Sequence, residues 1–397
     1  MLVAKLVFAL DAHLNQRYPP RQSQTTPEDP MQIALAIFLL GLTAAQTPPE
    51  IDATALLSQG PEQADVFVYF NVDAVAEPGW NWLTEDLAGQ PFLKTSPELE
   101  NKVKEGLEQM KEGLQTLTTM SGIDPLKDVH YGAVWFKVND LDKEDFELLV
   151  VVDGNFADGF LDTAAPKLDL KESKVVGNKT LYMGDKKKGA AMQVGNQIVM
   201  GTTDWIETRA KGEYKAPKIK KGSQLGRIKA KLDNKPILVF DVELGGAITK
   251  GMEAKVDSKS AYDILAGFES FDLTLYADGI DFDIVARSKD MQRRYALMFE
   301  GLVDMLRASQ SATQGLSKAV IGIISDDDPA IDTDARAFLK EKDSVLAFVL
   351  KHTGDGLFKL NNNSSEKDKT VALQLRAGHL REILSPALPM LIAGLAF

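Results

Sequence analysis

The sequence predicts an α+β fold of two similar units, each a mainly antiparallel sheet with helices packed on one face. Three observations predict it. Short β-branched and aromatic segments recur, separated by Gly- and Asn-containing turns. A strongly amphipathic helix follows the first of them. After a basic stretch near residue 216, the succession of strand, helix and hairpin restarts.

The first strand is expected at 64–75, which is rich in β-branched and aromatic residues. Trp80 and Trp82 follow in a Gly- and Pro-flanked turn. The clearest helix starts with Ser96 as N-cap and Pro97 at its first position, and Gly122 stops it. Its apolar residues, Leu99, Val103, Leu107, Met110, Leu114 and Leu117, are spaced by three and four. Strands at 128–138 and 144–153 come next, and the continuous run Leu148-Leu149-Val150-Val151-Val152 marks the second as central. A short helix at 156–165 leads to strands at 175–183 (containing the turn pair Gly177-Asn178), 190–194 and 198–202. Gly195-Asn196 makes a tight turn between the last two, and Thr202 or Thr203 caps a helix carrying Trp205 and Ile206.

The second succession opens with a strand at 236–244 and a helix through Ile248 and Met252. A hairpin spans 268–276 and 280–286, with Phe271, Leu273 and Leu275 on one face. A helix at 291–306 carries Tyr295, Met298, Phe299, Leu302, Val303 and Leu306 on one side. Strands at 343–351 and 370–375 and an apolar helix at 380–397, interrupted by Pro386 and Pro389, complete the chain. The resulting division is a leader at 1–45, a first unit at 46–215, a basic linker at 216–233 and a second unit at 234–397.

The leader carries the compartment signal. Residues 33–45 contain no charge and end in Thr43-Ala44-Ala45, the layout of a signal peptide at 31–45 with cleavage after Ala45. The run is too short to span a bilayer. The competing reading is a buried or partner-docked helix at 33–45. The 30 residues before Met31 are Pro- and Gln-rich and read as disordered or as upstream of the true start.

One stretch resembles a known pattern. Ser121-Gly122-Ile123-Asp124-Pro125-Leu126-Lys127-Asp128-Val129 precedes an apolar strand, and Leu149-Val150-Val151-Val152-Asp153-Gly154-Asn155-Phe156 leads into a helix. Gln197-Ile198-Val199-Met200-Gly201-Thr202 before a helix adds a third part. Together they resemble uncharacterised secreted bacterial proteins carrying a domain of unknown function. The resemblance implies an exported α+β protein and brings no catalytic residues with it.

Composition narrows the chemistry. The chain has no cysteine, which excludes disulfides, thiolate metal sites and a cysteine nucleophile. No run of eighteen apolar residues is present, so no transmembrane segment is expected in the mature chain. From Arg209 to Lys235 there are ten Lys or Arg against Glu213 and Asp233, net +8 in a chain of net −12; the remainder therefore carries −20. Two roles compete for this stretch: contact with an anionic surface through Lys218, Lys220 and Lys221, or packing against the protein's own acidic units. Nucleic acid is disfavoured, because aromatic interleaving is missing and the acidic remainder repels phosphate.

No catalytic constellation emerges. His130 in a strand reads as structural, and His379 with Glu382 lacks a zinc frame. Ser364 and Lys367 match S-x-x-K without its companion motifs. Asp326, Asp328, Asp332 and Asp334 offer oxygens for Ca²⁺, but EF-hand spacing is absent and a solvated loop competes. No cofactor is expected. The sequence points to a periplasmic or extracellular non-enzymatic binding or scaffold protein with an unidentified envelope or extracellular partner. A secreted polymer hydrolase and a membrane-surface-associated envelope protein are the alternatives.

Overall fold

In the computed structural model the described residues are 46–81, 97–124, 126–140, 145–168, 172–184, 189–245, 266–325, 359–362 and 369–376, with isolated positions between them. The leader with its cleavage site, the helix through Ile248 and Met252, the carboxylates from Asp326 to Asp334, the strand at 343–351 and the helix at 380–397 lie outside them.

A short helix α1 (Ala53–Leu57) precedes β1 (Val66–Asn71), and α2 (Ala76–Asn81) follows, carrying Trp80. The long helix α3 (Pro97–Ser121) ends before Gly122, as its cap residues predict. Next come β2 (Val129–Asp140), β3 (Asp145–Gly154), α4 (Phe160–Ala164), β4 (Glu172–Val176), β5 (Lys179–Met183), β6 (Gly189–Val194), β7 (Gln197–Thr202) and α5 (Thr203–Ala210). The remaining elements are α6 (Gln224–Leu232), β8 (Leu238–Glu243), β9 (Phe268–Tyr276), β10 (Gly279–Ala286), α7 (Lys289–Ser325), β11 (Lys359–Asn362) and β12 (Thr370–Arg376).

The strands form a single twelve-stranded sheet in the order β11-β12-β10-β9-β8-β1-β2-β3-β7-β6-β5-β4. Every neighbouring pair is antiparallel. The α+β class holds. The two stretches expected to carry separate sheets instead run on into one another through β1 and β8, where Phe67 stands opposite Asp241 and Tyr69 opposite Val239. A free edge on β1 and on β8 would leave two rows of unpaired backbone groups, and pairing removes both.

Helices cover both faces, not one. Leu149 and Val151 point to the face packed by α1, α5 and α6, with Leu56, Leu57, Ile206, Leu225, Ile228 and Leu232. Val150 and Val152 point to the opposite face, against Leu161 of α4. This two-sided burial is why the run through β3 is continuously apolar. On that second face, further along the sheet, Tyr295, Phe299 and Val303 of α7 pack on Ile284, Val371 and Leu373.

Three local expectations change. The strand at 175–183 is a hairpin, β4–β5, turned by Gly177 with φ +60°; β6–β7 turns at Gly195 with φ +56°. Two-residue hairpin loops need positive φ, which glycine adopts without a Cβ clash. The helix expected at 291–306 runs on to Ser325, and its Met298 is 50% exposed rather than inward. The basic linker at 216–233 contains a core helix, α6. Ser223 caps it, its hydroxyl accepting from Gly226 N at 3.2 Å, and three of its apolar residues are buried.

Candidate functional site

The basic stretch divides in two. Within α6 and just beyond it, every cation finds a carboxylate: Arg227 pairs with Glu243, Lys231 with Asp272 and Asp283, Lys229 with Asp233, and Lys235 with Glu50. This half lies against the protein's own acidic strands. The preceding segment, 213–220, has neither helix nor strand. In it Tyr214, Pro217 and Ile219 turn partly inward, while Lys215, Lys218 and Lys220 are exposed, as is Lys221 beyond them. The Tyr214 hydroxyl donates to the Gly60 carbonyl, its ring centroid lies 4.1 Å from the Arg209 guanidinium, and Ile219 packs on the core. No carboxylate among the described residues lies within ion-pair distance of Lys215, Lys218, Lys220 or Lys221.

Beneath α6 the sheet carries a row of acids. Phe67 of β1 stands opposite Asp241 of β8, Asp241 opposite Asp272 of β9, and Asp272 opposite Asp283 of β10. Continued the other way, the row passes through Trp135 and Leu149. One face is therefore apolar over β1–β3 and acidic over β8–β10. Asp241 is fully buried and Asp272 nearly so. Gln224, buried at the start of α6, donates to Asp241 Oδ1 at 2.7 Å and exchanges two hydrogen bonds with the backbone of Ala64. Burial pushes the Asp241 carboxyl above its ordinary range, against the pull of Gln224 and Arg227. Further out, Asp281 pairs with Arg376 at 2.5 Å, and the Arg376 guanidinium lies 5.3 Å from the Tyr276 ring centroid. None of the catalytic motifs considered in the sequence falls on these residues. The signal that was available is alternation: Asp241 and Glu243, Asp272, and Asp281 and Asp283 sit at every second strand position, and Arg227 and Lys231 are four apart on a helix.

A third cluster joins three strand ends. His130 Nδ1 lies 3.0 Å from the Asp73 carboxylate and Nε2 lies 3.2 Å from Asn155 Oδ1. Its carbonyl also accepts from the backbone N–H groups of Val72 and Asp73. Burial lowers the imidazole's proton affinity, but the bonds to Asp73 and Asn155 and the Asp73 charge outweigh it, so the net shift is upward. The structural role expected of His130 fits this geometry. Its ring is saturated by orienting partners, and no nucleophilic side chain is bonded to it.

The remaining sequence candidates contribute nothing to a described site. Asp326, Asp328, Asp332 and Asp334, His13, His352 and His379, and Ser364 lie outside the described residues. Among the described residues no group of three or more His, Asp or Glu side chains is arranged to hold a metal ion. No helix among them is long and apolar enough to cross a membrane. A cavity of about 10 Å³ between Trp135, Glu147, Leu149 and Trp205 has room for one water molecule. On the surface, α7 turns Leu297, Met298 and Met305 outward at 68%, 50% and 61% exposure. Beyond Val303 the described side-chain positions of α7, Asp304 and Met305 among them, are exposed.

No protein-family model matches the chain, and no curated protein matches it. Among solved structures, a chain described as "Structure of crystal form I of TP0453" is 9% identical, with 84% of this chain and 96% of that chain covered at a TM-score of 0.33. A likeness at that score carries over neither fold nor function.

Proposed function

We propose that this is an exported, non-enzymatic binding or scaffold protein of the bacterial periplasm or cell exterior, working through its surfaces. The observation that carries the reading is the outward apolar stripe of α7, Leu297, Met298 and Met305. Exposed apolar groups aligned on one helix face are the signature of a docking surface. The converging carboxylates, Asp241, Asp272 and Asp283, favour the same reading. Each is held by a cation or amide of α6, as in an internal ion-pair network. Export rests on the apolar run at 33–45 and its small-residue end.

We further infer that the chain is a duplicated unit. Support comes from strand order: outward from β1 run β2, β3, β7 and β6, and outward from β8 run β9, β10, β12 and β11. In each series a hairpin is followed by a helix, and a later strand, β7 or β12, returns beside the hairpin.

N-terminal sequencing of the protein recovered outside the cytoplasm tests export: Gln46 as first residue supports it, and retention of 33–45 overturns it. A photo-crosslinking residue at Met298 tests the scaffold. One recurring envelope partner, lost in the Leu297→Ser/Met305→Ser variant, supports it. Release of soluble fragments from an envelope polymer by the purified protein would instead establish the hydrolase.

A further inference from the structure

We propose that segment 214–221 is a contact surface for an anionic lipid bilayer, with Lys215, Lys218, Lys220 and Lys221 meeting the headgroups. The inference rests on the exported, surface-binding reading and specifies one of its surfaces. Selective neutralisation is the first argument. The chain holds 57 acidic and 45 basic residues, so carboxylates are in excess. Arg227, Lys229, Lys231 and Lys235 each take one, whereas these four lysines, from the same basic run, take none among the described residues. Among the described residues nothing neutralises their charge.

The mount is the second argument. Tyr214 is tied to Gly60, and Ile219 packs on the core. The Lys220 carbonyl accepts from Ser223 Oγ at 2.7 Å and from Ser223 N at 3.1 Å. A Cβ at Gly226 would stand 2.1 Å from that same carbonyl, so the strap sits directly on α6. Alternation of inward and outward residues puts Lys218 and Lys220 on one side, about 7 Å apart in an extended chain. The backbone is already ordered, so little conformational entropy is lost on contact.

A bilayer fits better than a linear polyanion. The cations are all lysines, compact point charges suited to mobile headgroups rather than to bidentate readout. The nearby rings do not offer a stacking platform: Tyr214 faces Arg209 and the Trp205 indole donates to Glu147 at 2.9 Å. The four strap lysines sit in a chain whose other residues sum to −16, so charge favours approach to an anionic surface through the strap.

The test is co-sedimentation of the full protein, as recovered from its host, with vesicles of phosphatidylcholine containing phosphatidylglycerol or of phosphatidylcholine alone. A lysine near an anionic surface is worth about 1 kcal/mol, about fivefold in partitioning. The Lys218→Gln/Lys220→Gln/Lys221→Gln variant is therefore expected to bind the anionic vesicles about a hundredfold more weakly. Binding should also collapse near 1 M salt, where the Debye length is about 3 Å. The corresponding triple Lys→Arg variant keeps the charge and should keep the binding; if it too loses binding, the effect is structural and the proposal falls. Equal binding to neutral vesicles, or unchanged binding of the Gln variant, overturns it. So does retention on a soluble polyanion such as polyglutamate without vesicle binding. Leu297→Ser/Met305→Ser should bind vesicles normally, so failure of the α7 scaffold and failure of the strap are read separately.

Discussion

Asp241 is held by Gln224 on one carboxylate oxygen, while the other lies 3.8 Å from Arg227 without a hydrogen bond. Because its carboxyl is raised above the ordinary value of about 3.9, the folded protein binds that proton to higher pH than the unfolded chain does. Stability from this group is therefore lost as pH rises through the interval between the two values. Asp241→Asn keeps the acceptor for Gln224 and removes the charge. It is expected to raise stability at about pH 7 by about 1 kcal/mol and to leave it unchanged at about pH 3, as urea midpoints would show. His130 has the same sign further up the scale: its contribution is present below about pH 6.5 and fades as pH rises through its raised folded value. Thr274 is fully buried, and its hydroxyl has no hydrogen-bond partner. Thr274→Val should stabilise by about 1 kcal/mol in the same assay, because an unpaired buried hydroxyl is replaced by a methyl of like size. The positions of Asp241 and Thr274 on strands were legible from the sequence. Their burial was not, since a polar residue at every second position ordinarily marks a solvated face.

At the scale of elements, α6 and the strap before it show one basic run serving two ends. Lys231 reaches Asp272, which is almost without solvent, so removing its charge strands a buried carboxylate. Lys231→Met should cost about 3 kcal/mol, whereas Lys218→Met, at an exposed position, should stay within about 0.5 kcal/mol. Chemical denaturation of the two variants side by side checks the contrast. The sequence marked this run as basic and turn-rich, and Gly212, Pro217 and Gly222 do break it. The helix within it was harder to see: nine residues with Gly226 inside make a weak helical signal, and α6 is held by burying Leu225, Ile228 and Leu232. Helix α3 is the opposite case, with Pro97 at its start, Gly122 after its end and a long three-and-four apolar spacing. Strand β3 was equally plain, because burial on both faces leaves an uninterrupted apolar run.

For the whole molecule the decisive contact is β1 with β8. It makes one sheet out of two strand successions, and Phe67, Tyr69 and Val239 share a core with α6 across that seam. The molecule should therefore unfold in one cooperative step. All four tryptophans precede residue 216, so their fluorescence reports only the first stretch, while far-ultraviolet circular dichroism reports both. Coincident urea transitions are expected; a fluorescence transition separated from the dichroism transition would mean that the seam does not couple the two. From the sequence alone came the α+β class, the order of most strands, the bounds of α3, the hairpin turns and the absence of thiol chemistry. These follow from neighbours in the chain: side-chain period, proline and glycine geometry, residue inventory. Only the tertiary structure decided that the sheet is continuous, that both faces are covered, that three aspartates lie in a row under α6, and which lysines of one run find no carboxylate among the described residues. Each depends on residues tens to hundreds of positions apart, and pairing across such distances is set by which surfaces and charges remain to be buried once the local elements have formed.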